Sequence, residues 1–274
     1  MSNAELRVGE LRRALVAPSG PYAVLDVVAE TGSTNADLIA AAATGAADRT
    51  VLIAERQTAG RGRRSREWVS PPAAGVYLSV LLRPEGVPAA RLGTLAVVAG
   101  LALARTARET AGVDAVLKWP NDLLVGDAKC VGVLSEAVSG GAGVVVGIGL
   151  NVAPLPVEVP PGPGGLAATS LAEAGAANTD RTELAAALLT SFASLESAWR
   201  AAAGDLEAAG LLDAYRKACA TLGRRVTVEV PAGASLEGVA TGVDTGGELL
   251  VTTDDGAETT VSAGDVVHLR FTAH

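Results

Sequence analysis

An α+β fold in two units is predicted by three observations. Strand-like runs cluster after one long apolar helix instead of alternating with helices, the pattern switches at Gly223 to short alternating strands, and 274 residues suffice for one ordinary domain plus a small second one. The boundary falls between a larger unit, 1–222, and a smaller one, 223–274. Hydrophobic residues make up 49% of the chain and aromatics only 3%, so the core must be built mainly from Ala, Val, Leu and Ile.

Each element has a local reason. Leu6 to Leu15 carries amphipathic helical spacing, and Pro18 and Gly20 punctuate the chain before the strand-like YAVLDVV. In GSTNADLIAAAA, Ser33, Thr34 or Asn35 can cap the alanine-rich helix that follows, and VLIAE reads as a short buried strand. YLSVLLR at 77–83 resumes the sheet, and Arg91 to Thr110 reads as a long, mostly buried helix. VLKWP, DLLV, KCVGVLSEAV and GVVVGIGLNV are strands joined by short turns. Residues 154–168, rich in Pro, Gly and Ala, form a loop; Arg181–Ala202 and Leu206–Ala220 have helical spacing. From Arg225 onward RVTVEV, LEGVATGV, ELLVTT, ETTVS and DVVHL alternate, separated by Pro231, Gly233, Gly246-Gly247 and Asp255-Gly256. About five strands in such a short span describe a small barrel of SH3-like type.

Composition narrows the chemistry. The longest uncharged stretches are Leu92–Ala104, too short to span a bilayer, and Val138–Val157, broken by glycines, Asn151, Pro154 and Pro156, so no membrane helix is expected. Charged residues precede any sustained apolar run at the N-terminus, the wrong order for a secretory signal, and a cytoplasmic location is expected. Cys130 and Cys219 have no CxxC spacing, which speaks against a zinc site or a disulfide framework. With His268 and His274 both near the C-terminus, catalysis near neutral pH must use other groups.

Against a net charge of −8 and a pI near 4.9, GRGRRSR at 60–66 concentrates four arginines in seven positions. Glycines at 60 and 62 would let backbone N–H groups face an anion, and the guanidiniums supply forked donors suited to carboxylate or phosphate. A solvated basic loop or a nucleic-acid patch is the competing reading. The stretch departs from GxGxxG at its third glycine and lacks the GK[ST] ending of a P-loop.

Three further stretches accompany it: GSTN at 32–35, KWPND at 118–122 followed by Lys129, and GIGLN at 147–151. With QTAGRGRRSREW at 57–68, their order and spacing resemble biotin protein ligases from about residue 25 to the C-terminal unit. The resemblance implies a catalytic domain with a mixed sheet and packed helices, followed by the SH3-like domain. It also implies an activity: biotin and ATP give biotinyl-5′-AMP and pyrophosphate, and biotin then passes to one lysine of the biotin carboxyl carrier domain of an acyl-CoA carboxylase. Mg²⁺ is implied with ATP, and no protein-only metal site is expected.

By the same resemblance, Ser33 and Thr34 bond the ureido group of biotin, and Gln57 lies beside it. Gly60, Arg61, Gly62 and Arg63 close over the carboxylate and phosphate, where positive charge lowers the repulsion between two anionic reactants. Trp68 lies near the adenine, Asn121 near the nucleotide or its magnesium, and Asn151 on the nucleotide side. Lys129 contacts the reacting oxygens, Gly132 allows close backbone approach to biotin, and Asp122 orients the acceptor lysine. Arg63, Lys129 and Asp122 are the catalytic candidates, whereas Trp119 and Pro120 are structural. The usual family loop has a third glycine where this chain has Ser65, so a positive φ there would be met less easily. With no helix-turn-helix segment ahead of the catalytic unit, a monofunctional ligase is expected.

Two alternatives stay open. Lipoate-type ligases share the adenylate strategy without this arginine loop, and offering biotin against lipoate separates them. A nucleic-acid-binding protein is disfavoured by the low pI and scarce aromatics, and neither nucleic acid nor membrane is expected as a partner. Oligomeric state is not legible.

Overall fold

The computed structural model describes residues 5–141, 143–155, 159–229, 235–262 and 265–268. The larger unit is a seven-stranded mixed sheet in the order β1-β2-β3-β7-β6-β5-β4. The strands are β1 Val24–Val28, β2 Thr50–Ala54, β3 Gly75–Leu82, β4 Val116–Lys118, β5 Asp122–Val125, β6 Ala128–Ala137 and β7 Val144–Asn151. Only β1 and β2 run parallel, joined by the helix α2 (Thr34–Ala43); every other neighbouring pair is antiparallel.

The two sheet faces do different work. On one face Val76, Leu78 and Val80 of β3 and Val146, Ile148 and Leu150 of β7 enter the main core with α1 (Val8–Leu15), α3 (Leu95–Thr106) and α4 (Arg181–Ala201). On the other, α2 packs Leu38 and Ala42 against Leu81 and Val145. Strand alternation then places Ser79, Gly147, Gly149 and Asn151 on the α2 face, beside the end of the helix where Ser33 and Thr34 stand. This is why GIGLN alternates: its apolar members fill the core and its glycines and Asn151 floor the opposite face.

In the β5–β6 pair, Leu123 faces Val131 but Leu124 faces Lys129, leaving Cys130 as an extra residue. The bulge keeps Cys130 in the core and turns Lys129 onto the face shared by Asp122 and Gly132.

The predicted long helix is a 3₁₀ start at Ala89–Thr94, α3, and a π turn at Ala107–Ala111. By length and composition Ala89–Ala111 could cross a bilayer, so the span is longer than the uncharged stretch suggested. Its apolar character is used inside the protein, where Leu95, Val98, Ala102 and Leu103 are buried.

Of the expected helix Leu206–Ala220, only α5, Leu212–Ala218, forms. Asp205 caps a single turn through the amides of Glu207 and Ala208, and Gly210 ends it with φ +69°.

The C-terminal strands β8 Arg225–Glu229, β9 Ser235–Val243, β10 Leu249–Thr252, β11 Glu258–Val261 and β12 Asp265–His268 form an antiparallel sheet in the order β11-β10-β9-β8-β12. The expected turn residues Pro231 and Gly233, and His274, lie outside the described residues. Val226, Val228, Ala240, Val243 and Val251 join the same buried cluster as the helices. Trp119 Nε1 donates to Gly247 O at 2.9 Å and the Arg216 guanidinium donates to Val243 O at 2.7 Å, tying this sheet to the larger unit.

Candidate active site

A cleft of about 390 Å³ opens on the α2 face of the sheet. Every predicted site residue but one lines it: Ser33 and Thr34 at the start of α2, Gln57, Arg61, Gly62, Arg63 and Trp68 from the loop between β2 and β3, and Asn121, Asp122, Lys129, Gly132 and Asn151 from the sheet. The exception is Gly60, whose carbonyl accepts Trp68 N–H at 2.9 Å and where a Cβ would come within 2.4 Å of Trp68 O. Gly60 therefore serves the hairpin that carries the loop, not the cleft wall.

The loop corrects a second expectation. Gly62 N–H donates to Arg66 O at 2.7 Å, so this amide is used to close the loop and is not turned toward an anion. Side chains carry the positive charge instead: Arg61, Arg63 and Arg66 share the cleft with Lys118 and Lys129, against the carboxylates of Glu67 and Asp122. Arg64 points elsewhere, donating to Glu229 O at 2.8 Å at the end of β8. Arg64 and Ser65 both take positive φ, +54° and +59°. The conformation that glycine would accept without strain is thus held here by serine.

Ser33 occupies the N-cap position of α2 with extended backbone, but its side chain makes no capping bond. Its hydroxyl stays with the cleft rather than the helix. Thr34 N–H donates to Gln57 Oε1 at 2.9 Å, and the Thr34 hydroxyl lies 3.1 Å from the same oxygen. Gln57 Nε2 donates to Ser70 Oγ at 3.0 Å.

On the opposite wall Lys129 Nζ is 2.6 Å from Asp122 Oδ1 and 5.5 Å from the centre of the Trp68 ring. The Trp68 indole lies over the paired glycines 132 and 149, so close that a Cβ on Gly149 would come within 2.3 Å of Nε1. The space above Gly132 is occupied by this ring, and a ligand reaches Gly132 only after the ring moves.

Asn121 is fixed by donating to Val133 O at 2.6 Å, and its Oδ1 accepts from Arg63 at 3.4 Å. Asn151 donates to Thr169 O at 3.0 Å, while its buried Oδ1 has no hydrogen-bond partner among the described residues. An acceptor left open in a cleft is available to a ligand donor. Trp119 is buried and structural, as expected. Burial pushes the Cys130 thiol up to about 12, with Glu173 adding to the shift, so it is no nucleophile near neutral pH. Among the described residues no group of three or more His, Cys, Asp or Glu side chains is placed to hold a metal ion.

Sequence reasoning missed Asn35, Ser79 and Glu136. Asn35 was read only as a possible cap and Ser79 as an interior strand residue, yet they join Thr34 in one hydrogen-bonded row. The signal for Ser79 was a lone hydroxyl inside the apolar run YLSVLL.

Residues 31–152 match the Biotin/lipoate A/B protein ligase family, and residues 221–269 match the Biotin protein ligase C terminal domain. A Biotin--[acetyl-CoA-carboxylase] ligase of Mycobacterium tuberculosis is 44% identical over 265 residues, covering 95% of this chain and 94% of that protein. A bifunctional ligase/repressor, BirA of Bacillus subtilis, is 33% identical over 87% of this chain and 71% of its own length. Among solved structures, a biotin protein ligase from Aquifex aeolicus in complex with biotin and ATP superposes with a TM-score of 0.75 at 27% identity, covering 91% of this chain and all of that one.

Proposed function

Because this chain belongs to the biotin protein ligase family, we propose that the cleft joins biotin to ATP and then delivers biotin to a lysine of a biotin carboxyl carrier domain. In the first step the biotin carboxylate attacks the α-phosphate of ATP, and pyrophosphate leaves. In the second the acceptor amine attacks the acyl carbonyl of biotinyl-5′-AMP, and AMP leaves.

The observation that carries this reading is the convergence in one cleft of a polar Thr34–Gln57 end with a cationic end made by Arg61, Arg63, Arg66 and Lys129. The first holds a neutral ring rich in donors and acceptors. The second lowers the cost of bringing two anions together and stabilises the charge that develops on the phosphoryl oxygens. Arg63 and Lys129 act on those oxygens. Asp122, at 2.6 Å from Lys129, holds the ammonium in place during adenylation and then receives the acceptor lysine. Asn121 and Asn151 position the nucleotide, with the open Asn151 Oδ1 taking a donor from it. Trp68, lying over Gly132 and Gly149, swings off this floor to cover the adenylate.

Mg²⁺ enters as part of the ATP complex. The cleft offers scattered oxygen donors, Asp122 and Asn121, which suits an ion held chiefly by phosphates and water. The carrier domain belongs to an acyl-CoA carboxylase, the reaction takes place in the cytoplasm, and residues 1–222 and 223–274 form the two units.

Biotin-dependent exchange of pyrophosphate into ATP tests the first half-reaction without the acceptor. Exchange with biotin and not with lipoate is the expected result; exchange with neither overturns the reading.

A further inference from the structure

The hydrogen bonds beneath the cleft leave little freedom of direction. Asn35 Nδ2 lies 3.2 Å from Leu134 O and 2.7 Å from Glu136 Oε2. A backbone carbonyl can only accept, so the nitrogen faces these groups and Asn35 Oδ1 faces Ser79. Ser79, fully buried, must donate to that oxygen at 2.6 Å. Its own oxygen is then an acceptor for the Thr34 hydroxyl at 2.7 Å.

The other side is fixed in the same way. Thr34 N–H can only donate, so Gln57 turns its Oε1 toward Thr34 and its Nε2 toward Ser70, whose hydroxyl donates to Trp68 O at 3.3 Å. Thr34 Oγ1 thus stands between two acceptors, Ser79 Oγ and Gln57 Oε1. Its single proton is directed inward, and the cleft meets a lone pair.

We propose that Ser79, Asn35 and Glu136 are positioning residues that fix this polarity, so that Thr34 offers only an acceptor and the ligand must present an N–H there. The inference rests on the biotin reading and extends it to specificity. A ring with an N–H at this point is accepted, whereas a ring oxygen or a dithiolane meets an acceptor with nothing to donate. A site built around a buried hydrogen bond rejects the analogue that leaves it unmade far more strongly than an apolar pocket rejects a change of size.

The test is equilibrium binding of biotin and of the two cyclic carbamate analogues in which one ureido N–H is replaced by ring oxygen. The unaltered protein should prefer biotin to one analogue by at least about a hundredfold. In Ser79→Ala the Thr34 proton keeps only the longer contact to Gln57 Oε1, an oxygen already taking Thr34 N–H, and can turn toward the ligand. The preference should narrow by about tenfold, while Ser79→Thr, which keeps the hydroxyl, should preserve it. A merely structural role for Ser79 would weaken both ligands equally and leave the ratio unchanged, and that result overturns the proposal. If circular dichroism shows Ser79→Ala unfolded, Ser79→Cys, with a weakly bonding thiol of similar size, carries the same comparison. Biotin-dependent pyrophosphate exchange by the unaltered protein keeps the two claims apart. Exchange with an unchanged ratio in the variants sinks the polarity argument alone, and absence of both binding and exchange sinks the ligase reading with it.

Discussion

Lys129 Nζ stands 2.6 Å from Asp122 Oδ1 because a β-bulge at Cys130 turns Lys129 out of the core and onto the strand face that Asp122 occupies. A regular β6 would place Lys129 on the core face and Cys130 in the cleft. The one cleft lysine supplied by β6 is thus made available by one extra residue in that strand.

Lys129→Ala should reduce biotin-dependent pyrophosphate exchange by at least about a hundredfold, the scale expected for losing a donor to developing charge. Thermal unfolding should stay cooperative, since Lys129 is partly exposed and lies outside the core. Unchanged exchange would remove Lys129 from the chemistry.

Asp122→Ala separates the half-reactions. It leaves Lys129 charged and in the cleft, so adenylation should fall only a few-fold, while transfer from preformed adenylate to the acceptor should slow by about a hundredfold. Rapid-quench measurement of the two steps decides this; equal slowing places Asp122 on the nucleotide side.

The arginine loop reports on its own order. Trypsin cleavage after Arg61, Arg63, Arg64 and Arg66, followed by mass spectrometry, should be slowed most by biotin with ATP, less by biotin and least by ATP alone. Ser65→Gly relieves the left-handed backbone at φ +59°, worth on the order of 1 kcal/mol, and should strengthen protection several-fold. Equal cleavage in every ligand state would make the arginines a solvated surface feature.

Cys130 should be alkylated far more slowly than an ordinary thiol, because it is buried and burial pushes its pKa up to about 12. The folded value lies above the unfolded one, so the stability held by the protonated thiol is intact below pH 9 and is lost as pH rises toward 12. Burial also raises Tyr22, Tyr77 and Tyr215, which adds to the same alkaline loss. Peptide-level mass spectrometry of alkylated protein checks Cys130 apart from Cys219; rapid labelling of folded protein at pH 8 would contradict its burial.

Much of this was legible in the chain. YLSVLLR and GVVVGIGLNV were legible as strands of the sheet, and the arginine loop with KWPND marked residues that line the cleft. What escaped depended on contacts distant in sequence or on single-residue geometry. The bulge at Cys130 has no local signal, because KCVGVLSEAV reads as one strand whichever face Lys129 takes. Gly60 was read with its neighbours as part of an anion cradle, but its place is set by the carbonyl of Trp68, across the hairpin. Ser79 and Asn35 gained their significance from Glu136, 57 and 101 residues further along the chain. The helix expected at Leu206–Ala220 failed at Gly210, where a left-handed residue overrode a favourable apolar pattern.

Val226, Val243 and Val251 lie in the same buried cluster as Leu103, Leu188 and Trp199, and Leu11 and Leu15 close it from the other end of the chain. A nascent polypeptide that has emerged only as far as residue 222 therefore holds a helical layer with part of its apolar face still uncovered. Its packing is completed only when β9 leaves the ribosome, and until then the face of α5 that β9 covers is the surface on which a chaperone, or another unfinished copy, would act.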